Sequence, residues 1–223
     1  FSDFDGTLTL NGKLGAVFFD LINIIKANMS ELVIVSGRSI SWGHFLITHF
    51  PLRHVIMEGG GVVVYRNQEG HILEENLISD VEIKRLEDIT AELVERYPEC
   101  IMSADSFGRR TDRAIEFAKM KKEDVEKLEI FLIKNDVNVS RADVHINYWV
   151  GDVSKSNGVK HFIKEYAPHV NKEECIFYGD AANDESMFEF FPNTVGVSNI
   201  IDVLDLLTYK PKVVLCLLYT SPS

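Results

Sequence analysis

"ELVIVSG", residues 31–37, decides how this chain folds. Leu32 to Val35 form an unbroken apolar run that Ser36 and Gly37 cut short. A short run without alternation is a strand buried on both faces, the kind found inside a parallel sheet. Upstream, Leu14, Val17, Phe18, Leu21, Ile22 and Ile25 recur at helical spacing, which predicts an amphipathic helix over 13–27. Downstream, residues 39–50 read as a second helix and "HVIME", residues 54–58, as a second strand. Further upstream, "FSDFDGTLTL", residues 1–10, begins inside a strand and breaks at Asp-x-Asp-Gly. The order strand, helix, strand, helix, strand predicts an α/β fold with a doubly wound parallel sheet. Ligand groups of such a sheet gather at the carboxyl ends of its strands, where Asp3, Asp5 and Ser36 lie.

From residue 61 the rhythm changes. "GVVVYRNQEGHIL", residues 61–73, reads as a hairpin, 80–96 as a charged helix, "RAIEFA" as a strand and 122–135 as a helix. "DVHINYWV", residues 143–150, alternates Val144, Ile146, Tyr148 and Val150 against His145, Asn147 and Trp149, so one face is buried and the other is open to solvent or a ligand. These elements predict an α+β domain over 61–151 inserted into a core made of 1–60 and 152–214. The α/β rhythm resumes with a helix at "SKSNGVKHFIKEY", an apolar run leading into "YGDAANDESMF", and a short strand at "NTVGV". The last residues, "LCLLYTSPS" (215–223), break the pattern and are expected to be a non-native tail.

The bulk composition narrows the function. The chain has 223 residues, 46% of them hydrophobic, and a formal net charge of −11, which argues against a general nucleic-acid or anionic-membrane binder. Three scattered cysteines, Cys100, Cys175 and Cys216, form no disulfide or zinc pattern and fit a reducing, cytoplasmic setting. No apolar run approaches the length of a membrane span. An anionic substrate then needs a local positive charge, and a metal ion is the obvious source.

Four strand or helix ends carry polar groups: Asp3 with Asp5, Ser36 with Gly37, Lys155, and Asp180 with Asp184. Carboxylates and a backbone carbonyl suit magnesium, and an aspartate can attack phosphorus as a covalent nucleophile if a metal and a lysine screen the repulsion. "DFDGTLT", "VIVSGRS", Lys155 in "VSKSNG" and "YGDAANDESMF" resemble, in order, the four motifs of the haloacid dehalogenase superfamily. The interval between Asp5 and Ser36 is too short for a cap, whereas that between Ser36 and Lys155 is long enough. That placement resembles the sugar-phosphate phosphatase (Cof-type, IIB-like) branch.

The resemblance implies a magnesium-dependent phosphatase of a small phosphosugar. Asp3 would be the nucleophile and Asp5 the general acid and base. Ser36, Gly37 and Lys155 would hold phosphate. Asp3, the Asp5 backbone carbonyl, Asp180 and Asp184 would hold Mg2+. In the cap, Arg109, Arg110 and Arg113 of "GRRTDR" are candidates to grip a second anionic group, and His145, Asn147 and Trp149 to contact a sugar. "MEGGG", residues 57–61, looks like a hinge into the cap. A phosphomutase of the phosphomannomutase type and a non-catalytic phospho-ligand-binding module are the alternatives.

Overall fold

The computed structural model describes residues 1–117, 120–141 and 145–215. In chain order the elements are α1 (Ala16–Ala27), β1 (Ile34–Val35), α2 (Ile40–His49), β2 (His54–Met57), β3 (Val62–Arg66), β4 (Ile72–Asn76), α3 (Asp80–Arg96), β5 (Ile101–Met102), β6 (Asp112–Glu116), α4 (Lys122–Lys134), β7 (Asn138–Arg141), β8 (His145–Trp149), α5 (Lys155–Tyr166), β9 (Phe177–Gly179), α6 (Glu185–Phe190), β10 (Thr194–Gly196) and β11 (Val213–Val214). None of the described helices is long and apolar enough to cross a membrane.

The predicted parallel sheet is present. β1 pairs with β2, β9 with β10, and β10 with β11, all in parallel. Residues 1–3 join the two groups, because Ser2 bridges Ile34 on one side and Tyr178 on the other, again in parallel. Ser2 N donates to Val33 O at 3.1 Å and Asp3 N to Tyr178 O at 2.8 Å. Asp3 therefore leaves the sheet at its innermost position. One face is covered by α1 and α2, with Phe18, Ile34, Leu46 and Val55 in the packing. The other is covered by α5 and α6, with Val35, Ile56, Phe162, Phe177 and Phe188.

The hairpin expected to open the inserted domain belongs to the core instead. β3 pairs antiparallel with β2 along its length, from His54↔Tyr65 to Met57↔Val62, and β4 pairs with β3. Val62, Val63 and Val64 are all buried, so both faces of β3 are covered as in an interior strand. We therefore take the inserted unit to begin after Asn76. The glycines of "MEGGG" likewise lie within the core, between β2 and β3. Gly60, at φ 110°, packs so close to the start of α5 that a Cβ would lie 2.0 Å from Ser154 O.

The inserted unit is a four-stranded antiparallel sheet in the order β5-β6-β8-β7. α3 and α4 cover one face through Leu86, Leu93, Leu128 and Leu132 against Ile115, Ile146 and Tyr148. The start of α3 is set by a capping box between Ser79 and Glu82. As the alternation predicts, Ile146 and Tyr148 are buried while His145, Asn147 and Trp149 are half-buried; Val144 lies outside the described residues. β5 and β7 were not foreseen: one is two residues long, and the other, Asn-Val-Ser-Arg, is mostly polar. Of the expected non-native tail only Leu215 is described, and its N–H donates to Gly196 O at 2.8 Å.

One packing contact gives a test of the core. A Cβ on Gly43 in α2 would sit 2.9 Å from both Met57 Cγ and Val64 Cγ2. Alanine gains about 1 kcal/mol of helix propensity over glycine, but overpacking costs about 1–3 kcal/mol. Gly43→Ala is expected to lower the denaturation midpoint, as chemical unfolding would show, and a rise would place α2 further from the sheet.

Candidate active site

Local chemistry sets each of the four polar ends. The bridging segment at residues 1–3 ends at Asp3, and Gly6 turns the chain at φ 79°. A Cβ there would meet Asp180 Oδ2 at 2.0 Å, so only glycine lets the first loop lie against the Asp180 loop. Ser154 caps α5 by accepting from Asn157 N, which puts Lys155 in the first turn, buried. Asp184 stands at the start of α6, and its Oδ2 accepts from Asp180 N at 2.9 Å and Ala181 N at 3.2 Å.

These ends converge. Lys155 Nζ donates to Asp3 Oδ1 and to Asp184 Oδ1, each at 2.6 Å. Asp3, Asp180 and Asp184 each bring a carboxylate oxygen within 4.8 Å of the others. Three carboxylates then face one ammonium, which leaves two negative charges without a partner. Burial, reinforced by the charge of Asp184, pushes Asp3 up to about 7 despite Lys155. Asp180 is raised as well, first by burial and then by Asp184, against hydrogen bonds from Asn199 and Thr7. Burial alone would lower Lys155, but Asp184 and Asp3 outweigh it and raise it. All three groups are thus pushed toward holding a proton, the aspartates first by burial and the lysine by the two carboxylates beside it. A hard divalent cation fits this all-oxygen donor set and would restore neutrality.

Asp5 is placed differently. Its half-exposed carboxylate accepts from Arg38 Nε at 2.7 Å and Nη2 at 2.6 Å, and the Arg38 guanidinium lies 4.0 Å from the centre of the Trp42 ring. The side chain of Asp5 is therefore no part of the three-carboxylate cluster. Ser36 is buried, and its Oγ accepts from Arg38 N at 3.2 Å.

A cavity of about 320 Å³ opens between the core and the inserted unit. Gly37, Lys155 and Asn183 line its core side, and Ser140, Asn147 and Trp149 its cap side. The sequence-predicted arginines are absent from its wall. Arg109 is buried and committed to Asp105 and Asp112, with Nη1 2.8 Å from both Asp112 oxygens and Nη2 2.9 Å from Asp105 Oδ2. Arg113 Nη1 donates to the Arg109 and Asp112 carbonyls. Arg110 pairs with Glu74 of β4 at 2.9 Å. Each finds an acceptor within its own segment or on the core. His145 shares the strand face of Asn147 and Trp149 without reaching the cavity wall.

The haloacid dehalogenase-like hydrolase family model matches residues 1–140 and 113–206. The chain belongs to that family. No curated protein sequence matches this hydrolase. Solved structures share its fold at low identity. A Thermoplasma acidophilum protein (0175) is 18% identical with a TM-score of 0.73, over 96% of this chain and 88% of that one. The phosphatase BT1666 from Bacteroides thetaiotaomicron is 18% identical with a TM-score of 0.67, over 96% and 87%. The subclass IIB sugar phosphatase BT4131 is 15% identical with a TM-score of 0.65, over 96% and 91%.

Sequence reasoning missed four residues at this hydrolase's candidate site. Thr7 Oγ1 and Asn199 Nδ2 orient Asp180, donating at 3.2 Å to Oδ1 and 3.3 Å to Oδ2. Arg38 holds Asp5. Glu58 is buried with φ 53°. Arg38, directly after Ser36-Gly37, was the one with a visible signal, a cation at a strand end facing an acidic loop.

Proposed function

We propose that this hydrolase is a magnesium-dependent phosphatase that cleaves a small phosphosugar-type monoester through an aspartyl-phosphate. The observation that carries this reading is the buried Asp3 carboxylate held by Lys155 inside a cluster of three carboxylates, next to a cavity. Asp3, Asp180, Asp184 and the Asp5 carbonyl would hold Mg2+, which when bound screens the repulsion between carboxylate and phosphate. One Asp3 oxygen forms a bond to phosphorus as the ester P–O bond breaks. The leaving alkoxide takes a proton from Asp5, which for this step must be protonated and freed from its ion pair with Arg38. Water then attacks the acyl phosphate, Asp5 takes back a proton, and Asp3 is released with inorganic phosphate. Lys155 and Ser36 offer donors to the phosphate oxygens.

The cavity supports a neutral, hydroxylated leaving group. Lys155 is the one cation among its described lining residues, while Trp149 offers an aromatic face and Asn147, Ser140 and Asn183 offer hydrogen bonds. The unpaired Cys100 and Cys175 support a cytoplasmic setting.

The test is inorganic phosphate release from a phosphosugar panel, with magnesium and with chelator. Release without a bisphosphate activator supports hydrolysis; isomerised phosphosugar without release would make the protein a mutase. Trp149→Ala removes a contact to the sugar in both ground and transition states. It is expected to raise KM for the best phosphosugar by about fivefold with kcat nearly unchanged. Loss of kcat at constant KM would move Trp149 out of the sugar site.

A further inference from the structure

The segment Gly108–Thr111 belongs to the inserted unit by sequence, yet it also makes polar contacts with the core. Arg110 N donates to Glu58 Oε2 at 3.0 Å, and Thr111 N and Oγ1 donate to the same oxygen at 2.7 Å. The Glu58 carboxylate also accepts from Ile40 N, at the start of α2, at 3.3 Å. The backbone closes tightly here: a Cβ on Gly61 would lie 2.1 Å from Thr111 Oγ1, and one on Gly108 2.3 Å from Ser41 Oγ. Arg109 Nη1, besides its two bonds to Asp112, donates to Gly37 O at 3.1 Å.

That last bond reaches the loop after β1. Gly37 C=O and Arg38 N–H belong to one planar trans peptide and point in opposite directions. Holding the carbonyl toward the inserted unit therefore directs the Arg38 N–H away from it, onto Ser36 Oγ at 3.2 Å. Ser36 Oγ thus has an acceptor site filled and, among the described residues, donates to no group. Its proton is left for a ligand.

We propose that Arg109 is a positioning residue of the phosphate site, acting through the Gly37–Arg38 peptide and Ser36, and that the docked segment Gly108–Thr111 makes phosphate affinity depend on the inserted unit. This rests on the phosphate role assigned to Ser36 above. The arginine is oriented for that task by Asp105 and Asp112 and does not itself touch the phosphate. By linkage, phosphate bound at Ser36 favours the docked segment to the same extent that docking favours phosphate.

The test uses inorganic phosphate as the probe, its inhibition constant measured on the full chain. Arg109→Met/Asp112→Asn removes the bond to Gly37 O without leaving Asp112 as a lone buried charge. It is expected to weaken phosphate inhibition about tenfold while the protein still unfolds cooperatively, since a hydrogen bond to a charged ligand is being disordered. A folded double variant with inhibition unchanged within about twofold overturns the proposal, leaving Arg109 purely structural. If the double variant does not fold, hydrogen exchange on the unmodified protein decides. Saturating phosphate should slow exchange at the Arg110 and Thr111 amides, and unchanged exchange there overturns the proposal. Ser36→Ala separates the two levels: if it leaves phosphate inhibition intact, the phosphate site itself is wrongly placed, whatever Arg109 does.

Discussion

Asp3→Asn is expected to abolish turnover and to leave no phosphoenzyme, while Asp5→Asn stops the enzyme halfway. The two carboxylates share one loop but differ in surroundings. Asp3 is buried against Lys155, and Asp5 is half-exposed against Arg38. The amide of Asp3→Asn cannot attack phosphorus. Asp5→Asn keeps the nucleophile and the backbone carbonyl and loses proton transfer, worth roughly 100- to 10,000-fold. An aryl phosphate has a leaving group that needs little protonation, so its first step should survive better. Its second step still lacks a base to activate water. A burst of aryl alcohol and hydroxylamine-labile phosphate on Asp3 should appear with Asp5→Asn alone. Labelled phosphate trapped by Asp3→Asn would overturn the assignment.

Removing magnesium is expected to abolish activity, and the same site should then report on stability with opposite signs. Asp3, Asp180 and Asp184 crowd within 4.8 Å around a single lysine. Without a cation the folded state carries that repulsion. Asp180→Asn removes one of the crowded charges, so the metal-free variant should melt no lower than the metal-free parent, as calorimetry on the two would show. The parent should gain from magnesium about 2.7 kcal/mol at a hundred times Kd, a shift of several degrees for a chain of this size. Asp180→Asn should lose most of that gain together with its turnover, the expected trade of stability against function at a strained site. Full turnover of the parent in chelator would remove the metal from the reading.

Arginines 109, 110 and 113 show where local sequence is ambiguous. "GRRTDR" presents three cations in six residues, and a chain segment alone gives no way to tell a ligand grip from an internal network. Arg109 has acceptors close by in Asp105 and Asp112, but the one that ties it to the site, Gly37 O, comes from a loop after another sheet's strand. The hairpin of β3 and β4 misled for a related reason. Its strands were legible, but their membership depends on the partner strand, and nothing within residues 61–73 names β2.

What the sequence by itself determined is the set of polar ends. Asp3, Ser36, Lys155, Asp180 and Asp184 each stand where an apolar run stops or a helix starts, and that signal is short-range: side-chain periodicity, a turn residue, a cap. Such signals depend on neighbours within a few positions, so they survive in a single sequence. What only the tertiary structure decided is which ends face one another and which charges are already neutralised. Lys155 lies between Asp3 and Asp184, Asp5 lies on Arg38, and Glu58 clasps Thr111. Those pairings are set by sheet order and burial, where desolvation makes each buried charge seek the partner that the fold brings nearest, however distant it is along the chain.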